Sequence, residues 1–244
     1  MTGGSRGVGA ATCVALARDG FDVVLTFRNK RARADAVAAQ VEGLGRRALA
    51  VQSDITSAAD RAELVVALRG FGGGLDAVVL NASGGLEKDL VANDPEYPFV
   101  VNRDAQVASV EALLELFNPG AVVVHVTSHW AHLHGRVEQF PDCEPVAASK
   151  HAGEVALRQM EPRLSARRAS LAVVTGDLIE GTITARLLER RTAGLTQQRR
   201  GETGVLPSVE DMAEAIARVC AAGGAANTVV VGGPLAALLE PPPA

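Results

Sequence analysis

Lysine is almost absent from this chain of 244 residues: Lys30, Lys88 and Lys150 are the only three, and arginine carries the rest of the 24 basic charges. Aromatic residues make up 3%, with one Trp and one Tyr. With no basic tract and so few rings for base stacking, a nucleic-acid partner is excluded from the expected functions. No stretch approaches the ~18 consecutive apolar residues that mark a membrane-spanning helix, so no membrane role is expected. Cysteine is scarce and odd in number: Cys13, Cys143 and Cys220 lie far apart with no paired spacing. That argues against a disulfide framework and for reduced thiols, which makes the cytoplasm the expected compartment. The carboxylates do not cluster at ligand spacing with the histidines either, so no metal site is expected.

What is present is apolar residue in quantity, 48% of the chain, with a mildly acidic net charge of −4. The runs FDVVLTF (21–27), RALAVQ (47–52), LDAVVL (75–80), AVVVHVT (121–127), SLAVVT (170–175) and NTVVVGG (227–233) read as strands. They are nearly unbroken apolar runs, as strands covered on both faces require, rather than alternating ones. Helical patterns separate them, such as ARADAVAAQVEGLG (32–45) with Gly45 placed to end the helix. Strand–helix alternation with right-handed crossovers gives an α/β fold, a Rossmann-type doubly wound parallel sheet with helices on both faces. Residues 1–244 are read as a single domain. The polar stretch 194–206 is expected to be a mobile segment, and the terminal PPPA a frayed tail.

The stretch TGGSRGVG (2–9) precedes an apolar helical run. Glycines at 3, 7 and 9 let the backbone turn tightly and approach a pyrophosphate at the helix N-terminus, where unbonded N–H groups and the helix dipole favour an anion. Such a loop normally follows a strand, and only Met1 precedes it here. That strand would sit centrally in the sheet, between the 21–27 and 75–80 runs. Without it those neighbours would lie ~9–10 Å apart with unpaired edges between them. The expectation is therefore that this sequence is an N-terminally truncated reading of a longer protein.

The 21–27 run ends in Thr26-Phe27-Arg28-Asn29, with no carboxylate to bind a ribose 2′-hydroxyl. Arg28, and Arg6 in the glycine loop, instead suit a 2′-phosphate through charge-assisted hydrogen bonds. The cofactor expected on this ground is NADP(H).

TGGSRGVG resembles the cofactor loop of the short-chain dehydrogenase/reductase family, and the likeness continues in order along the chain. Ser53-Asp54-Ile55 is similar to the family's adenine-contacting pair, and Asn81-Ala82-Ser83-Gly84 to its Asn-Asn-Ala-Gly turn with the first Asn absent. Val101-Asn102 resembles the helix asparagine, Thr127-Ser128 the catalytic serine, Ser149-Lys150 the end of the Tyr-x-x-x-Lys helix, and Gly232-Gly233 the close of the last strand. The resemblance implies cofactor contacts from Gly3, Ser5, Arg6, Gly7, Val8, Gly9, Arg28, Asn29, Asp54, Ile55, Asn81, Ala82, Lys150, Thr175 and Gly176. It implies an NADPH-dependent oxidoreductase acting on a small-molecule carbonyl, and a homodimer or homotetramer. In that scheme Ser128 polarises the substrate oxygen, Lys150 binds the nicotinamide ribose, and Asn102 supports a proton relay.

One member of the set is missing. The family's tyrosine, four residues before the lysine, is Val146 in this sequence, and valine cannot transfer a proton. Loss of a general acid typically costs roughly 10²–10⁴ in rate. Cys143 lies seven residues before Lys150, the spacing of the tyrosine in related enoyl reductases, and a thiol near a lysine is a feasible donor. The segment SHWAHLHGRVEQFPDCEP (128–145) also supplies His129, His132 and His134, with imidazoles suited to acid catalysis at neutral pH, and Trp130 as a substrate wall. Tyr97 lacks the family position. A catalytically impaired NADP(H)-binding sensor or interaction protein is the alternative reading.

Overall fold

The apolar runs become six strands in a computed structural model that describes residues 1–140, 143–224 and 227–239. They are β1 (Val23–Phe27), β2 (Ala48–Gln52), β3 (Leu75–Leu80), β4 (Phe117–Ser128), β5 (Ser170–Gly176) and β6 (Thr228–Val231). β4 begins four residues before the apolar run that announced it, and β1 begins two residues later. Every pairing is parallel, with β1 on β2 and a separate ladder in the order β3-β4-β5-β6. In register, Val79 lies beside Val124, Val124 beside Ala172, and Val174 beside Val229.

The helices lie on both faces. They are α1 (Gly7–Arg18), α2 (Arg31–Gly43), α3 (Ala58–Phe71), α4 (Ala105–Leu113), α5 (Glu144–Gln159), α6 (Ile183–Arg191), α7 (Leu195–Thr203) and α8 (Val209–Ala221), with shorter turns between them. Side chains alternate across a strand, and β4 shows the consequence. Val122 and Val124 pack with Cys13, Leu16 and Ile216 of α1 and α8, while Val123 packs with Val110, Leu113 and Leu157 of α4 and α5. All three valines are fully buried, which is why this strand reads as an unbroken apolar run.

Local chemistry sets the helix ends. Beyond α2, Gly45 takes a left-handed φ of +77° and donates to Glu42 O, while Arg46 N–H reaches Val41 O, the paired bonds of a Schellman ending. α8 starts on a capping box, Ser208 and Asp211 each accepting from the other's backbone N–H. The 194–206 stretch, expected as a mobile segment, instead contains α7. Arg199 on α7 is 3% exposed and bonds Asp177 through Nε and Nη2, both at 2.9 Å. The PPPA tail lies outside the described residues.

β1 and β3 do not pair. Met1 and Thr2 stand between them: the Met1 amino group donates to Val24 O at 2.8 Å, Thr26 N–H to Met1 O at 2.9 Å, and Thr2 N–H to Val79 O at 3.0 Å. Below these bonds the two strand edges bound a slot of about 590 Å³.

Candidate cofactor and substrate site

The glycine loop lies at the C-terminal ends of β1 and β3, where Gly4 N–H donates to Thr26 O and Thr2 N–H to Val79 O. Thr2 Oγ1 accepts from Asn81 N–H and Ala82 N–H at 3.0 Å each, and Asn81 Nδ2 donates to Thr2 O and Gly3 O at 3.1 and 3.3 Å. These bonds lock the loop to the end of β3 just before α1 begins. A Cβ at position 9 would lie 2.3 Å from Gly3 O, so only glycine lets the helix come this close to the loop. The α1 N-terminus has no side-chain cap, which leaves its first N–H groups available to an anion.

A trough of about 550 Å³ runs from this helix end along the tips of β1 and β2. Gly3, Ser5, Arg6, Gly7, Val8, Gly9, Arg28, Asn29, Asp54, Ile55, Asn81 and Ala82 all line it. Lys30, Arg33 and Arg186 line it too, three cations that motif matching did not single out. Ser53, 3% exposed, also borders the trough, and its Oγ has no hydrogen-bond partner among the described residues. Arg28 donates to the Tyr97 hydroxyl at 3.0 Å, and this bond raises the guanidinium pKa above its ordinary value. Tyr97 therefore stands on the trough side. An anionic nucleotide fits this surface: a glycine cradle, an uncapped helix end, an orphaned hydroxyl and several cations.

A second cavity, about 490 Å³, adjoins the trough and shares Arg6, Asn81 and Glu87 with it. Ser128, Lys150, Cys143, Val146 and Gly176 line it, within a largely apolar wall of Trp130, Phe140, Leu178, Ile179, Ile183 and Leu188. Trp130 packs on Phe140 with ring centroids 4.8 Å apart and carries the Arg199 guanidinium 5.3 Å from its ring centroid. Trp130 thus both lines the cavity and packs within the protein.

Ser128 ends β4 and caps the short helix 129–132, accepting from Ala131 N–H at 3.3 Å. Val146 and Lys150 lie one turn apart on α5, which Cys143 precedes and Pro145 opens. Lys150 makes no hydrogen bond or ion pair among the described residues, and burial brings its pKa down to about 8. Asn102 sits in a π-helical turn, Val100–Asp104. Its Nδ2 donates to Gly84 O at 2.9 Å and to Ser149 Oγ at 3.0 Å, and its Oδ1 accepts from Gly84 N–H. It clamps the 81–84 turn to α5. A Cβ at position 153 would fall 2.0 Å from Asn102 O, so Gly153 is what admits this contact; no motif pointed to it.

The histidines stand elsewhere: none of them lines the cavity. His129, weighed as the donor, is fully buried, with Nδ1 bonded to Thr175 Oγ1 at 3.0 Å and Nε2 to Gly233 O at 2.9 Å. Burial depresses its pKa, and it ties β4 and β5 to the segment after β6. Thr175, its partner, is likewise buried and lines neither cavity, in contrast to Gly176. His132 is bonded to Glu154 at 2.8 Å and His134 to Glu144 at 2.6 Å. No group of three or more metal-ligating side chains occurs among the described residues.

A parallel α/β sheet with a glycine-rich loop at the first helix, and a serine and a lysine lining one cavity at the strand ends, is an arrangement of the Rossmann type. The sequence profile described as short chain dehydrogenase matches residues 1–191, and the chain belongs to that family. A short chain dehydrogenase/reductase, AacuN, of Aspergillus aculeatus is 31% identical over 54% of this chain and 51% of its own. A 1-cyclohexenylcarbonyl-CoA reductase of Streptomyces collinus is 27% identical over 74% of this chain and 64% of its own. The matched region is thus about half the length of the former relative and under two thirds of the latter. Among solved structures, a short chain dehydrogenase from Burkholderia cenocepacia in complex with NADP superposes with a TM-score of 0.80 and 28% identity, covering 96% of both chains. A 3-oxoacyl-[acyl-carrier protein] reductase from Brucella melitensis in complex with NAD shares the fold, with a TM-score of 0.77 and 22% identity over 94% of this chain and 92% of that one.

Proposed function

We propose that this protein reduces a small apolar carbonyl compound at the expense of NADPH. The observation that carries the reading is the junction of the two cavities, where a cation-lined nucleotide trough opens onto an apolar chamber holding Ser128 and Lys150. NADPH, when bound, supplies the hydride equivalent for the carbonyl carbon. The α1 N-terminus and glycine loop hold its pyrophosphate, and Arg6 and Arg28 its 2′-phosphate, with Lys30 and Arg33 adding positive field. Ser128 donates a hydrogen bond to the substrate oxygen. Lys150 binds the nicotinamide ribose, and Asn102 keeps α5 in place against the 81–84 turn. The apolar wall excludes water around the reacting carbon.

Proton delivery is the altered part. With Val146 lining the cavity and the histidines outside it, the titratable side chains beside Ser128 are Cys143, Lys150, Arg6, Glu87 and Asp177; Asp177 is engaged by Arg199 and Glu87 by Gly85 N–H. We assign the donor role to Cys143, by its spacing from Lys150 and its place on the cavity wall. A homodimer or homotetramer in the cytoplasm belongs to the same proposal.

Val146 also supports a second reading, an NADP(H)-binding sensor or interaction protein without turnover. The experiment is oxidation of 4-deuterated NADPH with a panel of apolar aldehydes and ketones, followed by mass analysis of the alcohols. Deuterium on the former carbonyl carbon is the expected result. Tight NADPH binding with no labelled alcohol would favour the sensor.

A further inference from the structure

Lys150 lines the chamber without a counter-charge. The carboxylates that share its cavity or its helix are engaged by other groups. Glu87 accepts from Gly85 N–H at 2.7 Å and Asp177 from Arg199 at 2.9 Å. On α5, Glu144 bonds His134 at 2.6 Å, and Glu154 bonds His132 at 2.8 Å and Arg158 at 2.9 Å. Val146, one turn before the lysine, offers neither charge nor hydrogen bond. His125 on β4 is buried, and burial with Lys150 nearby brings its pKa down to about 4, which leaves the imidazole neutral. Arg6, also on the cavity wall, is itself a cation, and Cys143 completes the titratable set there.

An ammonium with no partner in a largely apolar wall is poorly solvated, so its neutral form gains. With its pKa brought down to about 8, roughly one Lys150 amine in ten is neutral at pH 7, about 300 times the share in an ordinary lysine. Ser128 borders the same cavity of about 490 Å³, and its Oγ accepts from Ala131 N–H, which leaves the hydroxyl hydrogen to donate. A neutral amine and a hydroxyl donor in one apolar chamber are what addition to a carbonyl requires: a nucleophile for the carbon and a donor for the oxygen.

We propose that Lys150 is a covalent binding site for small apolar aldehydes, which it holds as a reversible imine. The amine nitrogen attacks the carbonyl carbon and forms the C–N bond, while Ser128 donates a hydrogen bond to the oxygen. Both amine hydrogens then leave with that oxygen as water and the C=N bond closes, so the step consumes no oxidant or reductant. The inference rests on the chamber alone and not on what the trough binds. It also uses the neutral amine, whereas the reductase reading uses the ammonium, so the two activities follow opposite pH limbs.

The test incubates the 244-residue chain with butanal and sodium cyanoborohydride, without nucleotide, and maps N-butylated amines by peptide mass analysis. Lys30 and Lys88 are the internal standards. At about pH 7.5 Lys150 is butylated at least tenfold faster than either, with a rate that saturates in butanal. The preference shrinks as pH approaches about 10.4, where ordinary lysines lose their protons too, and it vanishes in urea. Ser128→Ala slows labelling at Lys150 several-fold and leaves Lys30 unchanged. Glyoxylate, whose carboxylate the apolar wall disfavours, shows no preference for Lys150. Labelling of Lys150 no faster than Lys30 in the folded chain would overturn the proposal, and an equal preference with glyoxylate would refute an apolar aldehyde as the ligand. Both readouts stand whether or not the protein oxidises NADPH, so failure of the reductase reading and failure of this one are separate results.

Discussion

The trough at the tips of β1 and β2 and the chamber beneath Ser128 are built from one fold but differ in completeness. Each residue that the glycine loop, the β1 end and the 53–55 and 81–82 turns were expected to bring to the nucleotide lines the trough, with extra cations beside them. The chamber keeps Ser128 and Lys150, and Asn102 behind them, but presents Val146 where a phenol belongs. In the proposed function binding and proton transfer are therefore separable: backbone geometry and positive charge serve the first, and the side chains that replace the phenol serve the second.

Lys150 lines the chamber, and because the proposed function also has it bind the nicotinamide ribose, changing it should damage both regions. Lys150→Met is expected to lower kcat/KM for the carbonyl substrate by roughly 10²–10⁴ and to weaken NADPH binding as well, read by steady-state kinetics and cofactor titration. Because burial lowers its pKa to about 8, the ammonium is present below that pH and lost above it. Wild-type kcat/KM should therefore fall as pH rises through about 8, and Lys150→Arg, whose guanidinium stays charged, should lose that limb. An unchanged pH profile in Lys150→Arg would move the titration to another group.

A smaller effect, confined to the chamber, is expected at Cys143. Cys143→Ala should cut turnover by about 10² with NADPH affinity unchanged, and Val146→Tyr in that background should restore part of it. Full activity in Cys143→Ala would remove the thiol from the mechanism. Val146→Tyr creating activity in a protein that otherwise has none would support the sensor reading.

The two regions were not equally legible in the sequence. The trough was, because its chemistry is backbone chemistry: glycine is required by close approach at 9 and by a left-handed backbone at 3 and 7, and the apolar runs fix where strand ends fall. The strands themselves were legible as buried on both faces, as Val122, Val123 and Val124 show. The chamber was less so, because proximity across a loop does not follow from spacing. His129, His132 and His134 looked close to the reaction site, yet the turn after Ser128 directs them to Thr175, Glu154 and Glu144. Gly153 was overlooked because its role is to clear space for the Asn102 carbonyl, a contact between segments 51 residues apart in sequence. The helical 195–203 segment was taken for loop because its composition is polar. Its order comes from a tertiary contact, the buried Arg199–Asp177 pair, that periodicity does not register.

The central claim is that the trough holds NADP(H) through Arg6 and Arg28. Calorimetric titration of the wild-type chain and of Arg28→Ala with NADPH and with NADH tests it most directly. A charged hydrogen-bond partner of a phosphate contributes ~1.5–3 kcal/mol, so Arg28→Ala should weaken NADPH by about tenfold or more and leave NADH nearly unchanged. Equal losses for both cofactors, or a wild-type chain that prefers NADH, would contradict the account.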